Sequence, residues 1–507
     1  MTGLATQAAR GTSLLVGQSM ISGLFRIVNV MILTRLLVQA EMGQIALLAI
    51  IYGFTQFLAA LGLNHASPLV VPEEEKNERF DRVRGFLIRS LTLIVISSIV
   101  LMFLFSMISP SILSLGLLSE EMLGISTIII PFSALEVFLD SFLLARYAVV
   151  RLAFGRIMFD LTRIVATVFL VLLGFGVIGV AYGWLAGELM AVLIFCTAAM
   201  SGLRNQESSI DMKPVLAFAI PSLLFQTVDV TIQNTDRIIL LVLTDLASLG
   251  VYDVILGILF MMSFLSLAIA TSIYPVLTRY RLNTDEEEDI ENEIGNAVSV
   301  LARYILILLI PVSIVVSMNS HIVLSSLFGL SYADFPYAAI SFSLLILSYS
   351  VWGLTYVLHT VLRSLSEAKF FVVTGVGIIF FEIVGCWYVT SWFGLFGSAL
   401  IRVMYIILLF LSSWMRLKQK GVSWIRSTVP SFGRITFAAL AAGIIVLLIA
   451  PQDLVSLLIS LAIAGTIYIL LLFGLREVIE LDFRLARAVL PRFMHGVIDR
   501  MQRVYEK

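Results

Sequence analysis

Residues 215–243 read VLAFAIPSLLFQTVDVTIQNTDRIILLVL. The run is long enough to cross a hydrocarbon core, which takes about 20 residues of helix. Yet it carries Asp229, Asp236, Arg237, two glutamines and an asparagine. Gln226, Asp229, Gln233 and Asp236 recur three, four and three residues apart, which puts them on one stripe of a helix. A charge at mid-bilayer costs roughly 2.5–3.5 kcal/mol on insertion scales, so such a stripe is expected to face the protein interior or a wet cavity. The segment therefore predicts a membrane-spanning helix with one functional face.

Composition extends that reading to the whole chain. Of 507 residues, 60% are hydrophobic and only 13% charged, against about 25% charged in soluble domains. The formal net charge of −1 carries no nucleic-acid signal, because the charges are divided by position along the chain. Cys196 and Cys386 both lie in apolar runs and read as small buried hydrophobes with neither metal nor disulfide spacing. No metal and no cofactor are expected. The N-terminal segment lacks a small-residue cleavage pattern and reads as a retained first span.

Apolar length predicts fourteen spans: 12–34, 43–64, 86–108, 122–145, 157–174, 177–200, 215–243, 249–276, 295–318, 337–361, 370–391, 395–415, 432–450 and 454–474. Alternate loops hold clusters such as Lys76, Arg79, Arg82, Arg84 and Arg89, or Arg416, Lys418, Lys420, Arg426 and Arg434, whereas the other set holds only Arg35. That bias predicts a cell-membrane protein with both termini cytoplasmic. The expected outer loops, the longest around 109–121 and 319–336, are too short to fold as domains. The inner loop 281–294, RLNTDEEEDIENEI, reads as a solvated connector. The tail from Phe483 to Val504 interleaves apolar residues with Arg484, Arg487, Arg492, Arg500 and Arg503. It suits either a helix on the inner leaflet or one packed on the inner loops.

The chain carries signs of duplication. GVIGVA at 176–181 recurs as GLFGSA at 394–399, and Gly43 after the first span matches Gly250 after the seventh. Each half holds six spans and so runs in the same direction, which predicts parallel repeats with the binding site between them. The expected organisation is an N-lobe at 1–205, a C-lobe at 206–418, two accessory spans at 419–475 and a basic amphipathic helix at 476–507.

These elements, in order, resemble the polysaccharide flippase branch (Wzx-type) of the multidrug/oligosaccharidyl-lipid/polysaccharide exporter superfamily. The resembling residues are ILTRLL at 32–37 with Met42-Gly43, NTDRIIL at 234–240, LGVY at 249–252 and Tyr274-Pro275. LFGLSY at 327–332, SEAK at 366–369 and the 394–399 hexapeptide complete the set. The resemblance runs from about residue 10 to 415 and implies an all-α integral membrane protein. It implies two six-helix lobes around a central cavity, alternating access, and a polyprenyl-linked saccharide as cargo. The implied partners are that lipid-linked oligosaccharide, membrane lipids and glycan assembly proteins.

Ionisable residues within spans give the candidate site. Ser19, Ser22, Arg26 and Asn29 on span one repeat the three-four-three spacing of Gln226, Asp229, Gln233 and Asp236 on span seven. The two seams either line a polar cavity, or Arg26 and Asp229 pair inside a bundle. A guanidinium could grip a lipid diphosphate through bidentate charge-assisted bonds; Arg26 leads, with Arg402 and Arg163 behind it. Glu136 and Asp140, four apart on span four, are candidates for ion coupling together with Asp229, although capture by a nearby arginine would serve equally. Arg35, Asp236, Arg237 and Asp253 lie near the outer face as a gate or a structural ion network. Adjacent helix positions point about 100° apart, so Asp236 and Arg237 are expected to take separate partners. Arg156, Asp160 and Arg163 share a face suited to local pairing.

Three functions fit: a flippase for lipid-linked oligosaccharides, an ion-coupled drug or organic-cation antiporter of the same architecture, and a membrane glycan polymerase or glycosyltransferase. The last needs catalytic groups on a sizeable aqueous loop, which the short outer loops do not provide. No G-x-x-x-x-G-K-[ST] phosphate loop occurs, which argues against ATP hydrolysis by this chain.

Overall fold

Lipid offers no partner to a backbone N–H or C=O, so a spanning chain satisfies these groups within helices. The computed structural model describes residues 2–203, 210–283, 287–365, 367–479 and 482–483. Among them all regular structure is helical. In chain order the helices are α1 (Thr2–Leu36), α2 (Gln39–Ala60), α3 (Leu63–Lys76), α4 (Phe80–Ser114), α5 (Glu120–Ala145) and α6 (Val149–Leu170). Next come α7 (Gly176–Met200), α8 (Met212–Leu243), α9 (Leu246–Asn283), α10 (Glu287–Met318), α11 (Ser320–Phe328) and α12 (Leu330–Ala333). The last five are α13 (Ala338–Ser364), α14 (Ala368–Phe393), α15 (Leu395–Gln419), α16 (Ile425–Ile449) and α17 (Leu454–Gly474).

Eleven segments among the described residues are long and apolar enough to cross a membrane. Two of them, Val149–Met200 and Phe370–Gln419, run to 52 and 50 residues and each holds a helical hairpin. With α9 added, the architecture is that of about fourteen spans, as the apolar lengths predict. Three expected loops are instead partly helical. α3 occupies much of 65–85, α9 and α10 extend into the acidic connector from either side, and α11 and α12 fill most of 319–336. They form despite Pro68 and Pro72 within α3 and Gly329 between α11 and α12. The tail from 484 onward, read above as an amphipathic helix, lies outside the described residues, as does Ser366 of the 366–369 motif.

Caps mark the points where the chain re-enters. Ser119 accepts the Met122 N–H at 3.3 Å, Asp211 accepts that of Lys213 at 3.0 Å, and Asp453 accepts that of Ser456 at 2.7 Å. Each replaces a partner that a helix start otherwise lacks. At the start of α2, Glu41 reaches back to the Val38 N–H at 2.9 Å.

The two similar hexapeptides open on glycines of matching φ. Gly176 and Gly394 sit at φ 53° and 52°, in the left-handed region that glycine enters without strain. Three residues later, Gly179 and Gly397 lie against the preceding helix. A Cβ on Gly179 would come within 3.0 Å of Leu170, and one on Gly397 within 2.7 Å of Thr390. Gly394 reverses the chain in the second hairpin and Gly174 (φ 92°) with Gly176 in the first, and in both the glycine three residues on lets the returning helix close up.

The chain forms two compact units: Met1–Ile258 with Gly375–Ile401, and Leu259–Thr374 with Arg402–Lys507. In the first, α6 and α7 pack along their length, and α5 packs on α2, α3, α4 and α7. Its core gathers Phe86, Phe138, Phe142, Leu152 and Phe195. Phe86, Phe138 and Phe142 meet with ring centroids 6.0–6.4 Å apart. Because lipid tails are as apolar as these rings, the gain here comes from close van der Waals packing and ring geometry, not from leaving water.

In the second unit α10 is central, packing on α13 and α16. Arg303 on α10 is buried and donates to Glu477 Oε1 at 3.0 Å and to both Asp482 oxygens at 3.0 and 2.7 Å. Burial works against Asp482 ionising, but hydrogen bonds from Arg303 and Tyr304 overcome it and hold the carboxyl below its ordinary value. The segment following α17 is thereby fastened to α10. A second clamp joins Glu367 to Lys420 at 2.8 Å and to Arg416 at 2.6 Å. These bonds, Lys420 first, hold the Glu367 carboxyl below 4.5.

Candidate transport site

The N-terminal unit holds most of the ionisable groups expected in spans, and they converge. α7 carries glycines at 179, 183 and 187, four apart on one face. A Cβ at Gly183 would strike the Thr167 backbone at 2.7 Å, and one at Gly187 would meet Arg163 at 3.0 Å. Small residues at this spacing let membrane helices approach closely, so α6 presents Arg163 directly to Trp184 and Glu188 on α7.

At about 1.5 Å per residue, Arg26, Tyr52, Arg163 and Glu188 all lie roughly 15–20 Å from the end where α1 turns into α2 and α6 into α7. That is the middle of a membrane about 30 Å thick. The Arg163 guanidinium stacks 4.1 Å from the Trp184 ring, which also meets Tyr52 edge-on at 5.9 Å. Tyr52 donates its hydroxyl to Glu188, which is 1% exposed. The other Glu188 oxygen is buried without a hydrogen-bond partner among the described residues.

A second set runs from this level towards the opposite end. Arg156 grips Asp140 through two bonds of 2.7 Å and donates a third to Gln18 at 3.2 Å. Gln18 donates to Ser22 at 2.8 Å, and Ser22 donates in turn to Asp160. One chain of polar contacts thus links α5, α6 and α1. Arg26, one turn beyond Ser22, is exposed and within electrostatic reach of Asp160 and Arg163. Asn29 is half-buried on the same seam. Glu136 feels Glu188, Asp140 and Asp160 as like charges and Arg156 as its counter-charge.

The α8 seam divides in two. Gln226 accepts at Oε1 from His65 Nε2 of α3 at 2.9 Å, and Gln233 donates to Asp229 at 2.8 Å. Asp229 and Gln233 are exposed. Asp236, expected on the same stripe, is 0% exposed and accepts the Tyr252 hydroxyl at 2.5 Å. At its level α9 covers the face that lies open two turns earlier. Arg237 pairs with Asp253 at 3.1 Å, so the adjacent pair Asp236 and Arg237 does take separate side-chain partners. Arg35 is exposed in the last turn of α1. Arg402 falls in the second unit, 6% exposed and 5.8 Å from the Tyr405 ring. His359, also in that unit, lies edge-on to Phe371 at 5.2 Å.

The pattern reading placed Arg26, Asn29, Arg163, Glu136 and Asp140 in this region but gave no role to Tyr52, Trp184, Gln18 or Glu188. For Trp184 and Glu188 the glycines of α7 are the signal; Gln18 and Tyr52 have none in the spacing. A face of glycines forces the residues opposite and beside it into contact, and Trp184 and Glu188 each follow one directly.

Among solved structures, the chain is similar to the lipid II flippase MurJ in an inward closed conformation, at TM-score 0.70 and 14% identity. That match covers 91% of this chain and 99% of that one. A multidrug resistance MATE family transporter of the MOP superfamily, inward-facing, matches at TM-score 0.64 and 15% identity over 79% of this chain and 95% of that one. A MOP superfamily transporter from Pyrococcus furiosus, described as having a binding pocket of reversed polarity, matches at 0.58 and 14%, covering 82% and 96%. The fold is thus that of the MOP-superfamily transporters and flippases. Residues 32–336, more than half of the chain, match the model of the polysaccharide biosynthesis protein family; the chain belongs to that family. No curated protein sequence matches it significantly.

Proposed function

We propose that this protein is a flippase that carries a polyprenyl-phosphate-type lipid-linked oligosaccharide from the cytoplasmic to the outer leaflet by alternating access. The carrying observation is Arg26, an exposed guanidinium at mid-membrane level within electrostatic reach of Asp160 and Arg163. An arginine at this depth turned to acyl chains is costly. Facing a wet cargo path, it is placed to hold a phosphate by paired N–H donors. Asn29, Gln226, Asp229 and Gln233 supply amide and carboxylate groups for sugar hydroxyls, and Arg163 and Arg402 are further cationic contacts. Membership of a polysaccharide biosynthesis family supports the saccharide, and the similarity to MurJ supports the lipid carrier. On this reading the chain is a transporter and not an enzyme, it sits in the cell membrane with both termini cytoplasmic, and glycan assembly proteins are its partners.

Turnover is driven by an ion gradient or by removal of product outside. Asp140 is occupied by Arg156, which leaves Glu136, with Asp229, as the candidates for coupling. Arg35 and the Asp236, Arg237 and Asp253 network act at the outer gate. The test is an inventory of lipid-linked glycans by mass spectrometry after depletion, complemented by wild type, Arg26→Ala or Asp229→Ala. The variants are expected to insert normally and to leave the lipid-linked glycan accumulated; full complementation by both at matched expression refutes the assignment.

A second reading, ion-coupled export of an organic cation, is favoured by one feature. The N-terminal site holds four carboxylates (Glu136, Asp140, Asp160, Glu188) against three guanidiniums (Arg26, Arg156, Arg163). Efflux of ethidium-like dyes from proteoliposomes, absent for a flippase, separates the two.

A further inference from the structure

We infer that the α6–α7 hairpin carries a binding site for an anionic phospholipid of the surrounding bilayer, at the end away from its glycine turn. Near Gly155 the two helices still touch, through the Phe195 ring. Beyond that contact they leave a groove of about 450 Å³, with Val150, Arg151 and Phe154 on one wall and Ile194, Thr197, Ala198 and Ser201 on the other. Val150 and Phe154 are 70% and 55% exposed along it.

Depth decides what this groove meets. At about 1.5 Å per residue, Ile194 and Phe154 lie roughly 27–32 Å from the glycine turn, and Arg151 and Ser201 roughly 36–38 Å. The hydrocarbon core is about 30 Å thick, so the apolar end of the groove lies at acyl-chain level and Arg151 at headgroup level. Whichever way the protein is oriented, this holds.

Charge decides which lipid. Nearby guanidiniums are committed. Arg146 is held by Glu75 at 2.9 Å and by the Ala199 and Ser201 carbonyls at 3.1 Å, and Arg156 is held by Asp140. Arg151 is exposed, forms no ion pair among the described residues, and makes one long contact of 3.5 Å with the Ala198 carbonyl. A cation with unused donors above an apolar groove at the interface is complementary to a phosphate diester with a net negative charge. A zwitterionic headgroup would set its own ammonium against the same arginine. The occupant is therefore a phosphatidylglycerol-type lipid, with its phosphate on Arg151 and a chain along Phe154 and Ile194.

Full-length protein purified in mild detergent and titrated with phosphatidylglycerol or phosphatidylcholine, followed by native mass spectrometry, tests this. Wild type is expected to retain phosphatidylglycerol in preference, and Arg151→Gln to reduce that preference roughly fivefold, the effect of one interfacial cation near an anionic headgroup. Ala198→Phe, which fills the groove, is expected to lower retention of both lipids while Arg151 stays in place. Equal retention of the two lipids by wild type, or an unchanged preference in Arg151→Gln, overturns the site. If Arg151→Gln does not purify as folded protein, Ala198→Phe decides: unchanged phosphatidylglycerol retention overturns it equally.

Discussion

Removing the Arg156 guanidinium and leaving Asp140 behind should cost more than removing both. The pair is bidentate, with two bonds of 2.7 Å, and its side chains are 29% and 20% exposed. Two charges about 4 Å apart attract by about 4 kcal/mol at an effective dielectric near 20. Taking each ion out of water costs several kcal/mol, so the intact pair contributes little over an apolar one. An orphaned buried charge, however, costs roughly 3–5 kcal/mol, less here because both groups keep some exposure. Arg156→Leu and Asp140→Leu are therefore each expected to destabilise by about 2 kcal/mol and the double variant by only about 1, a coupling of about 3 kcal/mol. Reversible unfolding of the purified protein in mixed micelles, read by tryptophan fluorescence, supplies the four values of the cycle. If the double variant is destabilised by the sum of the singles, the two residues do not hold each other, and Asp140 returns as a coupling candidate.

Other outcomes follow from the same structure. Gly250→Ala should lower the unfolding temperature, because its Cβ would enter the main chain of α2, 2.6 Å from the Gly43 nitrogen and 3.1 Å from the Met42 carbonyl carbon. Overpacking of this kind typically costs 1–3 kcal/mol, about that here, and an unchanged melting curve would show that α2 and α9 do not meet there. Glu367 has a depressed carboxyl, so its clamp on Lys420 and Arg416 contributes above its ordinary value of 4.5 and is lost as pH falls through the lower folded value. Wild type should lose stability on acidification below that range and Glu367→Gln should show a shallower acid slope; parallel pH profiles would remove the clamp. Tyr52→Phe, which deprives Glu188 of its hydroxyl donor, should slow transport while preserving expression, and unaltered flux in a reconstituted assay would exclude Glu188 from the cargo or ion path.

Much of this was legible from length and period alone. The spans follow from apolar runs, and the hairpin glycines at 176 and 394 stand out as similar hexapeptides whose first residues have φ within a degree of each other. Helix ends were less legible. α3 begins after two left-handed residues, Leu61 and Gly62, and carries Pro68 and Pro72, so its polar sequence reads as loop even though tertiary contacts keep it helical. The seam on α1 was visible as spacing, but its partners were not. Periodicity sorts residues to a face, whereas the chain from Ser22 to Asp160 and Glu188 to Tyr52 depends on which helices are neighbours. Asp236 shows the limit from the other side: its stripe is regular, but α9 covers only the far end of it.

The meeting of Gly43 and Gly250 bears on how such a protein can change. Each of these glycines would drive a Cβ into the other helix's backbone: Gly43 into Leu246, Gly250 into Met42 and Gly43 itself. A junction made of bare main chain has no interlocking side chains to unthread, so parting it costs mostly dispersion contact and can be recovered in one motion. A side chain at either position would wedge the two helices apart, so the junction depends on both places staying bare.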